Sequence, residues 1–365
     1  MLCEGAQGAG GNETAVSGTC RTMQSEWKRA ASQAMVVACA LTASLAGTGS
    51  GQAQSCTSQA KMSPEFYSAM SGAAMSLAAN VKAGDAAKVQ SETVTEYATN
   101  FGPTAYLIHS TADKIATETL HVVQVYQLDA TKRAAGDNSP AEFSCPLTGT
   151  AAETDFTFSN LPAGMYGFAM VEAEGNHPWI LSFVLQQVGG AWKMGGFYSH
   201  ARAAAGHDGL WYWNTARQKA KADQLWLSWL LYGEAESLLR PAGFVTSTNL
   251  DKLLSEEAAA KPPALSDGIG PETPLVMKGA ADSEFRFTAI SAEGSDDGKR
   301  LGLILHLKAD ALPDPAAARA RNTAAAKAFL DAHKELRQSF DEVWVHAESQ
   351  GKDPFVTEQK IAEIP

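Results

Sequence analysis

The chain has 365 residues, 45% of them apolar and 19% charged, and a formal net charge of −11. That apolar content supports two or three folded domains and excludes a wholly disordered chain. The acidic excess lies after residue 54 and no Lys/Arg cluster is present, so the counterion release that drives nucleic-acid binding has no source and anionic membranes are disfavoured in the same way.

The first segment with a clear pattern is a leader. Lys28 and Arg29 form a basic pair, Ala34 to Ala46 an apolar stretch, and Gly51-Gln52-Ala53 a small-x-small site; these are the three parts of a secretory signal. The apolar stretch is shorter than the roughly 20 residues a membrane span needs. Because the basic pair lies far from Met1, translation is expected to begin at Met23 and cleavage to follow Ala53. The protein is therefore expected to be exported, to the periplasm or outside the cell, with no transmembrane span in the mature chain. Cleavage there leaves Cys56 and Cys145, which in an oxidising compartment can form one disulfide or remain two free thiols.

After the leader, Ser63-Pro64-Glu65 is a helix start, and Phe66, Met70, Ala74, Leu77 and Val81 recur at helical spacing. A second helix is expected from Asp85 to Tyr97, and Phe101-Gly102-Pro103 reads as a breaker. The run Leu120 to Tyr126 alternates and is β-branched, which marks a strand. Further strands are expected at Phe143–Leu147, Thr154–Ser159, Gly164–Glu172 and Trp179–Val188, with Gly189-Gly190 turning the chain into a last strand, Trp192–His200. Helices followed by a run of strands predict an α+β fold built as an antiparallel meander over residues 55–205.

The hairpin with its return strand AWKMGGFYSH, preceded by helices, resembles the closing strands of NTF2-like proteins. That resemblance implies a pocket between the helices and the sheet, with no particular ligand. Residues 206–260 read as a helical hairpin: Asp208 caps the first helix, the apolar stripes change phase around Lys219 to Asp223, and Arg240-Pro241 ends the second. A third helix is expected after a cap at Asn249. Ser228, Tyr232, Ala235 and Pro241 make the hairpin weakly similar to a single tetratricopeptide unit, but no neighbouring repeat follows. The pattern GHDGLWYW, AR, LL-Pro and NL-x-KL behind a Trp-Lys hairpin also looks like an uncharacterised group of exported bacterial proteins. That likeness implies export and architecture and carries no activity. Residues 261–275 are polar with Pro and Gly and are expected to be a linker. Residues 276–365 read as a small ββαβ(β) domain, with Asp314-Pro315 opening its helix.

Function is less legible. No G-x-S-x-G, P-loop, H-E-x-x-H or C-x-x-C occurs, so no cofactor is expected and the easily recognised enzyme classes are removed. Six of the eight tryptophans fall between Trp179 and Trp229. Trp211, Tyr212 and Trp213 are consecutive on a helix and cannot all face one core; with Trp192 and Tyr198 they are the candidate residues for a ligand or partner. His177, His200, His207 and Asp208 are the one set with metal-ligand chemistry. Their spacing matches no compact ligand motif, and loop and capping roles are the favoured explanation for them. Glu234 and Glu236 are expected to face solvent. The favoured reading is a non-catalytic binding or assembly module for an unknown small molecule or envelope protein. The competitor is a metal-assisted or hydrolase-like enzyme with its site near His200, His207 and Asp208.

Overall fold

A computed structural model describes residues 54–280, 283–295 and 297–365. The expected leader, with its start at Met23 and cleavage after Ala53, lies outside the described residues. The described chain is α+β, and none of its helices is long and apolar enough to cross a membrane.

Strand β1 (Ser55–Ser58) leads into four helices, α1 (Pro64–Lys82), α2 (Ala86–Ser91), α3 (Thr95–Ala98) and α4 (Gly102–Ile115). The Ser63 hydroxyl accepts from Phe66 N at 3.3 Å, and Pro64 occupies the first helical position, where its missing N–H costs nothing. The expected second helix is two pieces, with the Asp85 carboxylate capping the first at Lys88 N, 2.9 Å. Gly102-Pro103 opens α4 instead of merely breaking the chain, because proline is tolerated in a first turn as well as after a last one.

The strands that follow are β2 (Thr119–Asp129), β3 (Ala141–Pro146), β4 (Glu153–Phe158), β5 (Met165–Glu174), β6 (Trp179–Val188) and β7 (Ala191–Ala201). They do not form the single meander expected. The first sheet runs β1-β2-β5-β6-β7, whereas β3 and β4 leave it and join β10 (Val245–Ser247) in a second, three-stranded sheet. One face of the first sheet packs on α1 and α4 through Met70, Leu77, Ile108, Val171 and Phe183. The other face meets the second sheet through Tyr126, Phe143, Phe156 and Phe168. Burial on both faces explains why β6 is continuously buried from Ile180 to Leu185. Cys56 on β1 and Cys145 on β3 form a disulfide, Cα–Cα 5.2 Å, which ties the two sheets together.

A short hairpin, β8 (Ala203–Ala204) with β9 (His207–Asp208), leads into α5 (Gly209–Lys221), α6 (Leu225–Leu239) and α7 (Thr248–Ala259). Asp208 caps α5 as expected, accepting from Trp211 N at 2.8 Å. The cap of α7 is Ser247, two residues before the expected Asn249.

The third sheet runs β11 (Leu275–Lys278), β12 (Glu284–Gly294), β13 (Leu301–Lys308), β14 (Glu342–Glu348) and β15 (Phe355–Lys360). Its β13–β14 pair is parallel and is connected through α8 (Pro315–Ala332). Trp226 of α6 meets Phe329 of α8 edge-on at 5.4 Å, so the helical hairpin and this sheet share one core. The expected linker folds into that core: Pro263–Leu265 forms a 3-10 turn and Leu265 is fully buried.

Candidate functional site

Helix α6 carries apolar residues on every side, which is the pattern of a helix buried all round. Near its C-terminal end it separates two cavities of about 260 Å³ each.

The first is a polar cleft. Its walls come from the start of β6 (His177, Trp179), the end of β7 (Ser199, His200), α6 (Glu234, Ser237) and the β12–β13 turn (Glu293, Ser295). Glu234 is only 3% exposed. Burial, reinforced by the nearby Glu293 charge and partly offset by the Gly294 backbone N–H, pushes its carboxyl up to about 8. The expectation that Glu234 faces solvent is therefore wrong: the end of β12 covers this side of α6. The apolar helix around Glu234 was the sequence signal for its burial. Gly294 allows that close approach, since a Cβ there would lie 2.7 Å from Ala204 Cβ. Gly298, at φ +66°, leaves room for the His177 ring.

His200 Nδ1–H donates to the Ala201 carbonyl at 2.9 Å. In the neutral ring this leaves Nε2 as an acceptor, and it is buried without a hydrogen-bond partner. Burial holds the His200 pKa below its ordinary value, with Arg202 acting in the same direction and the Ala201 hydrogen bond against it.

The second cavity is an apolar groove. Tyr126, Phe168 and Met170 of the first sheet form its floor, Leu210 and Trp213 of α5 one wall, and Leu239, Pro241, Val245 and Leu250 the other. Its polar lining comprises the Tyr126 hydroxyl and Thr154 Oγ1, which lie 3.3 Å apart, together with Thr246, Ser247 and Asn249. Asn249 stands exposed at the rim.

The aromatic triplet divides as its helical spacing requires. Tyr212 is buried and donates to the Ala204 carbonyl at 2.9 Å; desolvation, with Glu234 and Asp341 nearby, raises its pKa. Trp213 faces the groove while its Nε1–H donates to Glu256 at 2.8 Å, and the Arg217 guanidinium sits 4.3 Å from its ring centroid. Trp211 stacks on His207 at 3.7 Å and stays 42% exposed. The other two candidates lie elsewhere: Trp192 packs edge-on against Phe66 at 5.4 Å, and Tyr198 against Phe244 at 5.2 Å.

Of the four residues with metal-ligand chemistry, the cleft brings together only His177 and His200; His207 is stacked under Trp211, and Asp208 is committed to its cap. Among the described residues no three His, Cys, Asp or Glu side chains are placed to hold a metal ion.

Fold and cavities together define, over the described residues, an α+β protein with two small cavities at the junction of its layers. Comparison with family models, curated proteins and solved structures finds no match to this chain.

Proposed function

We propose that this is an exported, non-catalytic binding module that holds a small, mostly apolar ligand in the groove beside Trp213. The observation that carries the reading is the groove itself: about 260 Å³, with aromatic and aliphatic walls and the Tyr126–Thr154 hydroxyl pair in its lining. Binding pockets for drug-sized molecules span roughly 300–1,000 Å³ and combine apolar walls with a few placed polar groups. A volume just below that range fits a compact ligand with a polar group. Export is supported by the Cys56–Cys145 disulfide, since such bonds persist in oxidising compartments.

The helices-before-sheet order supports the NTF2-like resemblance for the first layers. The ligand space proposed here is nevertheless on the other side of the sheet, because Met70, Ala74, Leu77 and Val81 pack the helix-facing side. Of the residues named for the hydrolase-like alternative, His200 lines the cleft, His207 is stacked on Trp211 and Asp208 caps α5.

The neutral fluorophore N-phenyl-1-naphthylamine tests the groove. It is expected to bind with micromolar affinity and to quench tryptophan emission through Trp213. Asn249→Trp, which closes the rim, should weaken binding at least tenfold without changing the thermal midpoint. Absence of binding, or equal binding by a folded Asn249→Trp variant, would contradict the reading.

A further inference from the structure

The groove leaves the polar cleft without a role, yet the cleft contains the buried carboxyl group of Glu234. Its lining residues include two carboxylates, Glu234 and Glu293, three serines, Ser199, Ser237 and Ser295, and two histidines, but no lysine or arginine. His200 has already committed its Nδ1–H to Ala201, so its partnerless Nε2 adds a further acceptor to this wall. Trp179 supplies an aromatic surface beside them, suited to an organic cation.

We propose that the cleft between the first sheet, α6 and the β12–β13 turn is a binding site for a small organic cation carrying a primary ammonium group.

The ligand class follows from what the walls lack. Among the described residues the lining offers an anion no cationic side chain, whereas its buried polar atoms, the Glu234 carboxyl and His200 Nε2, favour a ligand that donates. A neutral ligand would leave the buried Glu234 carboxylate uncompensated whenever it ionised, which is costly. A quaternary ammonium has charge but no N–H to offer the acceptors. A primary ammonium supplies both the charge and three donors. A bare metal ion has no set of three ligating side chains among the described residues.

Binding is coupled to a proton. In the empty cleft Glu234 holds its proton up to about pH 8, and the ammonium favours the ionised form. The charged and titratable groups around it are Glu293 from β12, Tyr212 from α5 with Asp341 beside it, and His177 and His200 from the sheet rim with Arg202 beside His200. Glu293 opposes ionisation, His200 is held neutral by burial, and the Tyr212 pKa lies above its ordinary value, so the Glu234 proton is the one displaced. Affinity should rise about tenfold per pH unit from pH 6 to pH 8 and then level off, as linkage to one proton requires. An alkylammonium with a pKa near 10.4 keeps its charge across that window.

Isothermal titration of the full mature chain with 1,4-diaminobutane, and with 1,4-butanediol as its uncharged counterpart, tests this at pH 6, 7, 8 and 9. The diamine is expected to bind with the stated pH dependence and the diol not to bind. Glu234→Gln, which keeps the shape and neutrality of the protonated group, should weaken diamine binding at least tenfold and remove the rise with pH. Ser237→Ala, a milder change on the same helix face, should weaken it a few-fold while leaving the pH dependence intact. The proposal is overturned if the diamine fails to bind at 10 mM, if the diol binds equally well, if Glu234→Gln binds unchanged, or if only zinc or calcium ions bind.

Discussion

Glu256 is the most heavily shared acceptor among the described residues. It receives hydrogen bonds from Trp213 Nε1, from Arg217 Nε at 2.6 Å and Nη2 at 2.9 Å, and from the Tyr232 hydroxyl at 3.4 Å. Through Trp213 it fixes one wall of the apolar groove. Glu256→Ala leaves several donors without their acceptor, and buried hydrogen bonds to charged groups contribute about 1.5–3 kcal/mol each in net terms. Because the pair is partly exposed, the expected loss is about 1–3 kcal/mol in urea unfolding, together with weaker probe binding in the groove. A variant as stable as the parent would show that the clamp is incidental. Glu234 acts in the opposite sense. Its folded-state pKa, about 8 against an ordinary value of 4.5, means that the folded state binds its proton more tightly than the unfolded state does. Its stabilising contribution is complete below about pH 4.5 and is lost as pH rises toward 8. Glu234→Gln should therefore be more stable than the parent at pH 9, by the order of a few kcal/mol, and nearly equal to it at pH 4. Unfolding midpoints at the two pH values check this; an unchanged difference between them would mean that Glu234 is not buried in solution. Asp208 as a cap and the division of Trp211, Tyr212 and Trp213 over different surroundings were legible from local spacing. Glu234 was legible only in part: the apolar helix around it signals burial, but the strand that covers it lies some sixty residues further on.

At the scale of elements, the disulfide and the glycine contact govern how the layers meet. The Cys56–Cys145 bond spans a sequence separation of 89 residues and joins two sheets that otherwise meet through aromatic packing. Constraining a loop of that length contributes about 2–5 kcal/mol by the chain-entropy argument. Reduction, or Cys145→Ser, should lower the unfolding free energy by that amount, and a shift below about 1 kcal/mol would contradict a structural role for the bond. Gly294→Val would drive a branched side chain into Ala204 on β8 and disturb the cleft. The expected cost is about 1–3 kcal/mol, with diamine binding lost and probe binding in the groove retained. Most strands and the hairpin at Gly189-Gly190 follow from period-two patterning and turn chemistry. The departure of β3 and β4 to a second sheet does not, because alternation specifies which face a strand buries and leaves its partner open. Gly102-Pro103 shows the same limit: the residues that can end a helix can also begin one, and only the apolar pattern beyond them decides.

For the molecule as a whole, the informative feature is the shared core. Trp226 and Leu230 of α6, Leu253 of α7, Phe287 of β12 and Phe329 of α8 belong to one buried cluster. The helical hairpin and the C-terminal sheet should therefore unfold together, and Leu265 in the intervening segment should be as protected from hydrogen exchange as its neighbours. The α+β class was readable from the order of helices and strands. The sharing of a core was not, since the polar and proline content of residues 261–275 resembles a spacer although Leu265 anchors it. Both cavities arise where these layers meet, so their linings come from distant parts of the sequence and no local motif announces them. The central claim is that the groove beside Trp213 holds a small apolar ligand. Native mass spectrometry of the protein purified from its own cells tests it most directly. The account predicts a retained small molecule on the parent chain that is absent from Asn249→Trp; a parent chain with no adduct, or an adduct equally present on both, would contradict it.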